Sequence, residues 1–168
     1  MASFRAGNFD FVMIAAHIRW GSGAKARIAP LTELANWIHK RRKQKHNVDD
    51  NFVLVGDFNI PKENDALFKA ITKRGLVIPE ALRGAEHGSN LKRDKRYDQI
   101  LYDAGNTQAF TGKAGALDFY AGDFKPLCPG ERKTKTQFTY ELSDHLPLWA
   151  ELDVDNDDEI IDQILGPA

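Results

Sequence analysis

Six side chains suited to acid–base or phosphate chemistry recur along this sequence, each beside an apolar run: His17, Asp57, Asn59, Asp98 and the adjacent Asp144 and His145. The richest stretch is Phe52-Val53-Leu54-Val55-Gly56-Asp57-Phe58-Asn59. An apolar run there stops at a glycine and then delivers an acid and an amide of the same strand parity, so both can point one way from the tip of a rigid element. Carboxyl ends of strands are where α/β proteins place their chemistry. An acid beside a neutral amide suits phosphate: one group manages a proton or a cation, the other holds an oxygen. Asp144-His145 adds an acid and an imidazole, and a histidine oriented by a distant carboxylate is a recurrent acid/base device. Each residue also has an ordinary structural reading. His17 can simply end a strand, Asp57 and Asn59 can close an Asx turn, and Asp98 can start a strand. It is the joint occurrence, in this order, that favours chemistry.

The elements that must position these groups follow from periodicity. Phe9 to Ile18 is rich in β-branched and aromatic residues and predicts a strand ending near His17, broken by Gly21-Ser22-Gly23. Ile28, Leu31, Leu34, Ala35 and Ile38 recur at helical spacing with Pro30 near the start. Lys40-Arg41-Arg42-Lys43 falls late in that helix, where the dipole favours cations. Asn51 to Gly56 predicts a second strand. Pro61 opens a second helical stretch with Leu67, Phe68 and Ile71 on one face and Gly75 as its C-cap. Residues 84–96 are polar and irregular, Tyr97 to Tyr102 is a short strand, and 103–137 reads as loops with at most one short element. Phe138–Leu142 and Leu146–Val154 are predicted as apolar strands on either side of Ser143-Asp144-His145, and the acidic run that follows as a solvated tail. Early strand–helix alternation followed by β-rich segments gives a mixed α/β, α+β-layered architecture. A single domain is expected over 1–168, with a core over 9–152 and an acidic tail over 153–168.

Composition bounds the function. The chain has 168 residues, 42% hydrophobic and 28% charged, with a formal net charge of −1. That is enough chain for a core, and no global positive field draws in duplex nucleic acid. The one cysteine, Cys128, excludes an intrachain disulfide framework and a cysteine zinc site, and reads as a packing residue. No run approaches a membrane span and no apolar leader opens the sequence, so a cytoplasmic protein without membrane partners is expected.

Four motifs in sequence, His17 in Ala-His-Ile-Arg-Trp-Gly, Gly56-Asp57-Phe58-Asn59, Arg96-Tyr97-Asp98-Gln99-Ile100 and Ser143-Asp144-His145-Leu146-Pro147-Leu148, resemble those of the endonuclease/exonuclease/phosphatase superfamily with its DNase I-like fold. The resemblance runs over about residues 9 to 152. It implies a metal-dependent phosphoester hydrolase, nuclease or phosphodiesterase/phosphatase, using Mg²⁺ or Mn²⁺ on a phosphoester substrate that includes nucleic acid among its candidates. Carried over by motif, His145 is the leading catalytic residue and Asp98 its carboxylate partner. Asp57 positions or deprotonates water, or manages the leaving-group proton. Asn59 holds the phosphate or a metal-bound water. Asp144 helps bind the cation, with Asp57 and Asn59, and His17 and Arg96 contact the phosphate. Lys and Arg dominate phosphate-backbone contacts, so the loop Lys92–Arg96 reads either as a substrate-binding loop or as an ordinary solvated one.

The family's early asparagine and its metal-binding Leu-Gln-Glu segment have no counterpart before His17, and Glu33 and Glu63 fall in predicted helices. The resemblance is therefore to the carboxyl-terminal half of the family domain, a half-sandwich that exposes an apolar sheet face. Two alternatives follow: an impaired fragment that binds phosphate or a partner chain, or an assembly in which a second copy or the missing half supplies the remaining ligands.

Overall fold

A computed structural model describes residues 1–7, 9–44, 51–63, 65–84, 87–106, 109–122, 125–127 and 134–154. Cys128 and the tail beyond Val154 lie outside the described residues. The strands are β1 (Ala2–Ala6), β2 (Phe9–Ala15), β3 (Phe52–Asp57), β4 (Leu76–Val77), β5 (Asp98–Asp103), β6 (Phe110–Ala116) and β7 (Leu148–Leu152). The helices are α1 (Ala24–Arg42), α2 (Ala66–Thr72) and α3 (Lys135–Glu141).

A five-stranded mixed sheet in the order β1-β2-β3-β5-β4 carries the core. β2 and β3 run parallel, joined through α1, and the remaining pairs are antiparallel. The period-2 alternation of β2 and β3 sorts their side chains cleanly. Val12, Ile14, Phe52 and Leu54 turn to one face and pack with Leu31, Ala35 and Ile38 of α1 and Leu67 and Ile71 of α2. Phe11, Met13, Val53 and Val55 turn to the other, where no helix covers them; there they line a trough of about 740 Å³, bounded by the β6–β7 ribbon. A mixed α/β sheet with helices on one face agrees with the expected layering, and the second face, which carries only the β6–β7 ribbon and an open trough, is consistent with a half-fold.

Several expected elements are redrawn. Residues 2–6, to which the sequence assigned no element, form β1 and pair antiparallel with β2, Phe4 stacking on Phe11. Phe138–Leu142, expected as a strand, is a helical turn. The reason is Thr134, whose hydroxyl accepts from the Gln137 backbone while the Gln137 side chain reaches back, a capping box that outweighs the alternating Phe138, Tyr140 and Leu142. The region 103–137, expected as loops with at most one short element, contains the seven-residue strand β6, which its glycine, lysine and alanine did not mark. Gly115 is small for a reason, since a Cβ there would come within 3.0 Å of the Trp149 indole nitrogen. β6 pairs antiparallel with β7, so the strand that follows His145 has a partner within this chain.

Candidate active site

The end of β3 is built around a close backbone approach. Ala16 and Ile18, just past β2, donate to the carbonyls of Val55 and Asp57 at 3.0 and 2.8 Å. Gly56 sits at φ 134°, and a Cβ on it would lie 2.0 Å from the Ala16 carbonyl oxygen. Only glycine serves here, which is why Asp57 follows one. Asn59 adopts φ 53°, a left-handed conformation that asparagine tolerates. Its backbone N–H donates to Asp57 Oδ1 at 2.8 Å, and its side-chain amide donates to the Ile18 carbonyl at 2.8 Å. The Asx turn is thus real, and it leaves Asp57 Oδ2 free to face His17 Nε2, 3.6 Å away.

β5 delivers the second carboxylate. Asp98 and Asp57 are directly opposite in the antiparallel register of β3 and β5. Like charges so placed repel, and each has an imidazole at hand. His145 Nδ1 lies 2.7 Å from Asp98 Oδ2, and both side chains are partly buried. The loop carrying His145 is held from several sides. Its backbone N–H donates to Ser143 Oγ at 2.9 Å, and Tyr120 donates its hydroxyl to the Ser143 carbonyl at 2.7 Å. Leu146 N–H donates to the Ser89 carbonyl, and Asn90 and His145 form an isolated bridge. Fully buried Ser89 also accepts the Asp98 N–H on its hydroxyl at 3.0 Å, so one residue fixes both members of the pair. The Tyr97 ring stacks on the imidazole at a centroid distance of 5.7 Å.

His17, Asp57, Asn59, Asp98 and His145 are accordingly linked through one end of the sheet. Asp144 is exposed beside His145, with no hydrogen bond or ion pair among the described residues. Its charge, behind burial, helps push the Tyr120 hydroxyl pKa up, while the bond to Ser143 opposes that shift. Arg96 is 6% exposed and turned inward, its guanidinium 2.6 Å from Glu63, which also pairs with Arg83. Glu63 thus precedes α2 as an arginine anchor rather than lying within a helix. The strand expected before Ser143-Asp144-His145 is α3, so His145 enters from a helix–strand loop. Ser89, Tyr97 and Tyr120 escaped sequence reasoning. Ser89 lies in a polar stretch with no periodicity, and ring stacking leaves no signal in spacing.

Among the described residues no group of three His, Cys, Asp or Glu side chains converges to hold a metal ion. With Asp57 Oδ1 engaged in the Asx turn and the Asn59 amide nitrogen on Ile18, Asp57 Oδ2 and Asn59 Oδ1 are the oxygens left to these two residues, too few by themselves for the octahedral oxygen shell of Mg²⁺. What the arrangement offers is an imidazole with its Nδ1 fixed and its Nε2 open, next to a carboxylate with one open oxygen. No described helix is long and apolar enough to cross a membrane.

No family model matches the chain, and no curated protein matches it by sequence. Solved structures do match in fold. A mannosyl-6-phosphatase of Bacteroides thetaiotaomicron aligns at TM-score 0.54 and 20% identity, over 86% of this chain and 52% of its own. An AP endonuclease from Archaeoglobus fulgidus aligns at 0.51 and 21%, over 86% and 62%. Beta toxin from Staphylococcus aureus aligns at 0.51 and 16%, over 90% and 55%. The chain thus spans less than two thirds of each of these structures. At such identities the likeness is one of fold alone, and it extends over part of the length of each of these structures.

Proposed function

We infer that this chain carries the acid–base and phosphate-contacting part of a phosphoester hydrolase site, of nuclease or phosphatase type. The observation that carries the reading is the 2.7 Å contact of His145 Nδ1 with Asp98 Oδ2, directly across the sheet register from Asp57. Two of the similar structures, a phosphatase and an endonuclease, are named for phosphoester chemistry, which supports the same class.

Asp98 accepts from Nδ1–H and so fixes the ring and its tautomer. Nε2 is left to donate to a phosphoryl oxygen when protonated, or to take a proton when neutral. In hydrolysis a water oxygen bonds to phosphorus, the bond to the leaving oxygen breaks, the water loses a proton and the leaving oxygen gains one. Asp57, with Oδ2 open, is the group to take the water's proton. His17 and His145 are the donors that stabilise charge on the phosphoryl oxygens. The superfamily implies a divalent cation, Mg²⁺ or Mn²⁺, and the reading leaves most of its donors to polypeptide beyond the described residues, in a further half of the fold or a second copy. The unconverged donor set favours a second reading, a half-fold that binds phosphate with little turnover.

Titration with inorganic phosphate, followed by the ring resonances of His17 and His145, tests the site. Both should shift with one saturation curve, and His145→Ala should weaken binding at His17. Phosphate that moves neither ring overturns the reading. Hydrolysis of a generic phosphodiester with Mg²⁺ or Mn²⁺ separates the two versions. A monomer whose turnover is abolished by His145→Ala shows that the chain needs no complement.

A further inference from the structure

Trp20 is 52% exposed, yet it is not free. Arg27, in the first turns of α1, is 3% exposed, and among the described residues it has no carboxylate partner. A buried guanidinium is costly unless compensated. Here both compensating contacts come from one residue. Arg27 Nη1 donates to the Trp20 carbonyl at 2.6 Å, and its Cζ stands 4.2 Å from the Trp20 ring centroid. Arg27 Nε is buried with no partner at all. Turning the indole away would uncover the guanidinium further, so the ring is held in place while more than half of its surface stays in solvent.

The position of that ring relates it to the site. Trp20 meets Tyr97 edge-on at 5.8 Å, and Tyr97 stacks on His145 at 5.7 Å. The rings form a continuous wall from the Asp98–His145 pair to the exposed indole, three residues after His17. A group attached to a phosphate at the pair therefore lies within reach of Trp20. The cation selects among such groups. A guanidinium over the indole draws π density towards itself. The ring becomes a poorer acceptor for the C–H bonds of a sugar and a better partner for the electron-rich plane of a base.

Resting on the phosphoester reading above, we propose that Trp20 is a specificity-determining stacking platform, and that the substrate is a phosphoester bearing a nucleobase. Arg27 is its positioning residue.

The chain is titrated separately with adenosine 5′-monophosphate, ribose 5-phosphate and inorganic phosphate, reading the Trp20 indole N–H and the His145 ring. The nucleotide should move both signals and bind about 5- to 150-fold tighter than ribose 5-phosphate, the range set by base–aromatic stacking. Ribose 5-phosphate should move His145 alone. Trp20→Ala should bring the nucleotide to the affinity of ribose 5-phosphate and leave the latter unchanged. Arg27→Met should weaken the nucleotide but not ribose 5-phosphate, a split that a purely structural role would not produce. If Trp20→Ala unfolds, Trp20→Phe replaces it, with a smaller loss expected. Equal wild-type affinities for nucleotide and ribose 5-phosphate, with His145 moving in both, overturn the platform and leave the site standing. If none of the three ligands moves His145, the site reading falls and the platform with it.

Discussion

Two carboxylate–imidazole pairs face each other across β3 and β5, and they are built differently. In the β5 pair, Asp98 and His145 meet at 2.7 Å, with side-chain exposures of 23% and 29%. Ser89 ties both backbones, and Tyr97 covers a ring face. In the β3 pair, Asp57 and His17 stand 3.6 Å apart, wider than a hydrogen bond, and the His17 side chain is 72% exposed. Asp57 is fixed by its own Asx turn, but His17 sits past the end of β2 with nothing over its ring among the described contacts. One imidazole is oriented before any ligand arrives; the other has room to meet one. Preorganisation saves the cost of ordering a group at the moment of use, so the rigid pair is suited to presenting a fixed imidazole donor and the open one to adjusting to a ligand as it arrives.

That contrast can be broken experimentally. The largest effect is expected from Asp98→Asn, which keeps the shape but changes the partner that selects the His145 tautomer. Where turnover is measurable it should fall about 10²- to 10⁴-fold, with the fold intact by circular dichroism, whereas His17→Ala should cost about 10-fold. Equal losses would erase the distinction between the pairs. Next comes Gly56→Ala, which puts a Cβ into the Ala16 carbonyl at a φ that L-residues avoid. It should cost about 3 kcal/mol in urea unfolding and pull His17 away from Asp57, while His145 stays on Asp98; the two histidine resonances would report this directly. Ser89→Ala removes the acceptor for the Asp98 N–H inside a fully buried site. An unpaired buried donor costs about 1–3 kcal/mol, and His145, not His17, should change environment. Smallest is Tyr120→Phe, which deletes the hydroxyl bond to Ser143 for about 1 kcal/mol.

The same hydroxyl carries a pH dependence. Burial raises the Tyr120 pKa above its ordinary 10.0, so the folded protein holds this proton more tightly than the unfolded chain. The contribution is fully present below pH 10 and declines as the pH rises through the folded-state value. Unfolding midpoints of wild type and Tyr120→Phe should converge above pH 10. If they stay parallel there, burial does not hold the Tyr120 proton more tightly in the folded protein.

Much of the scaffold was legible because its signals are local. The apolar, β-branched runs Phe9–Ile18 and Phe52–Val55 mark two strands before any packing is known, and the helical spacing from Ile28 to Ile38 marks α1. Gly56-Asp57-Phe58-Asn59 announces a turn at a strand end, which the backbone of Ala16 then makes obligatory. β6 was hidden, since its strand character comes from pairing with β7 and not from its own residues. The apparent strand at Phe138 gave way to a capping box that starts a turn earlier.

What the sequence determined by itself, then, was the set of chemical groups, their order, and the strand ends that carry them, because periodicity and turn chemistry act over a few residues. The resemblance named Asp98 as the partner of His145, but only tertiary structure decided how the two are brought together and held. His145 is 47 positions from Asp98, and their meeting depends on strand register, on one buried serine and on a loop pinned by a tyrosine. It also decided that Arg96 answers to Glu63 and that Arg27 is spent on Trp20, since a guanidinium's partner is set by whatever burial brings within hydrogen-bonding distance.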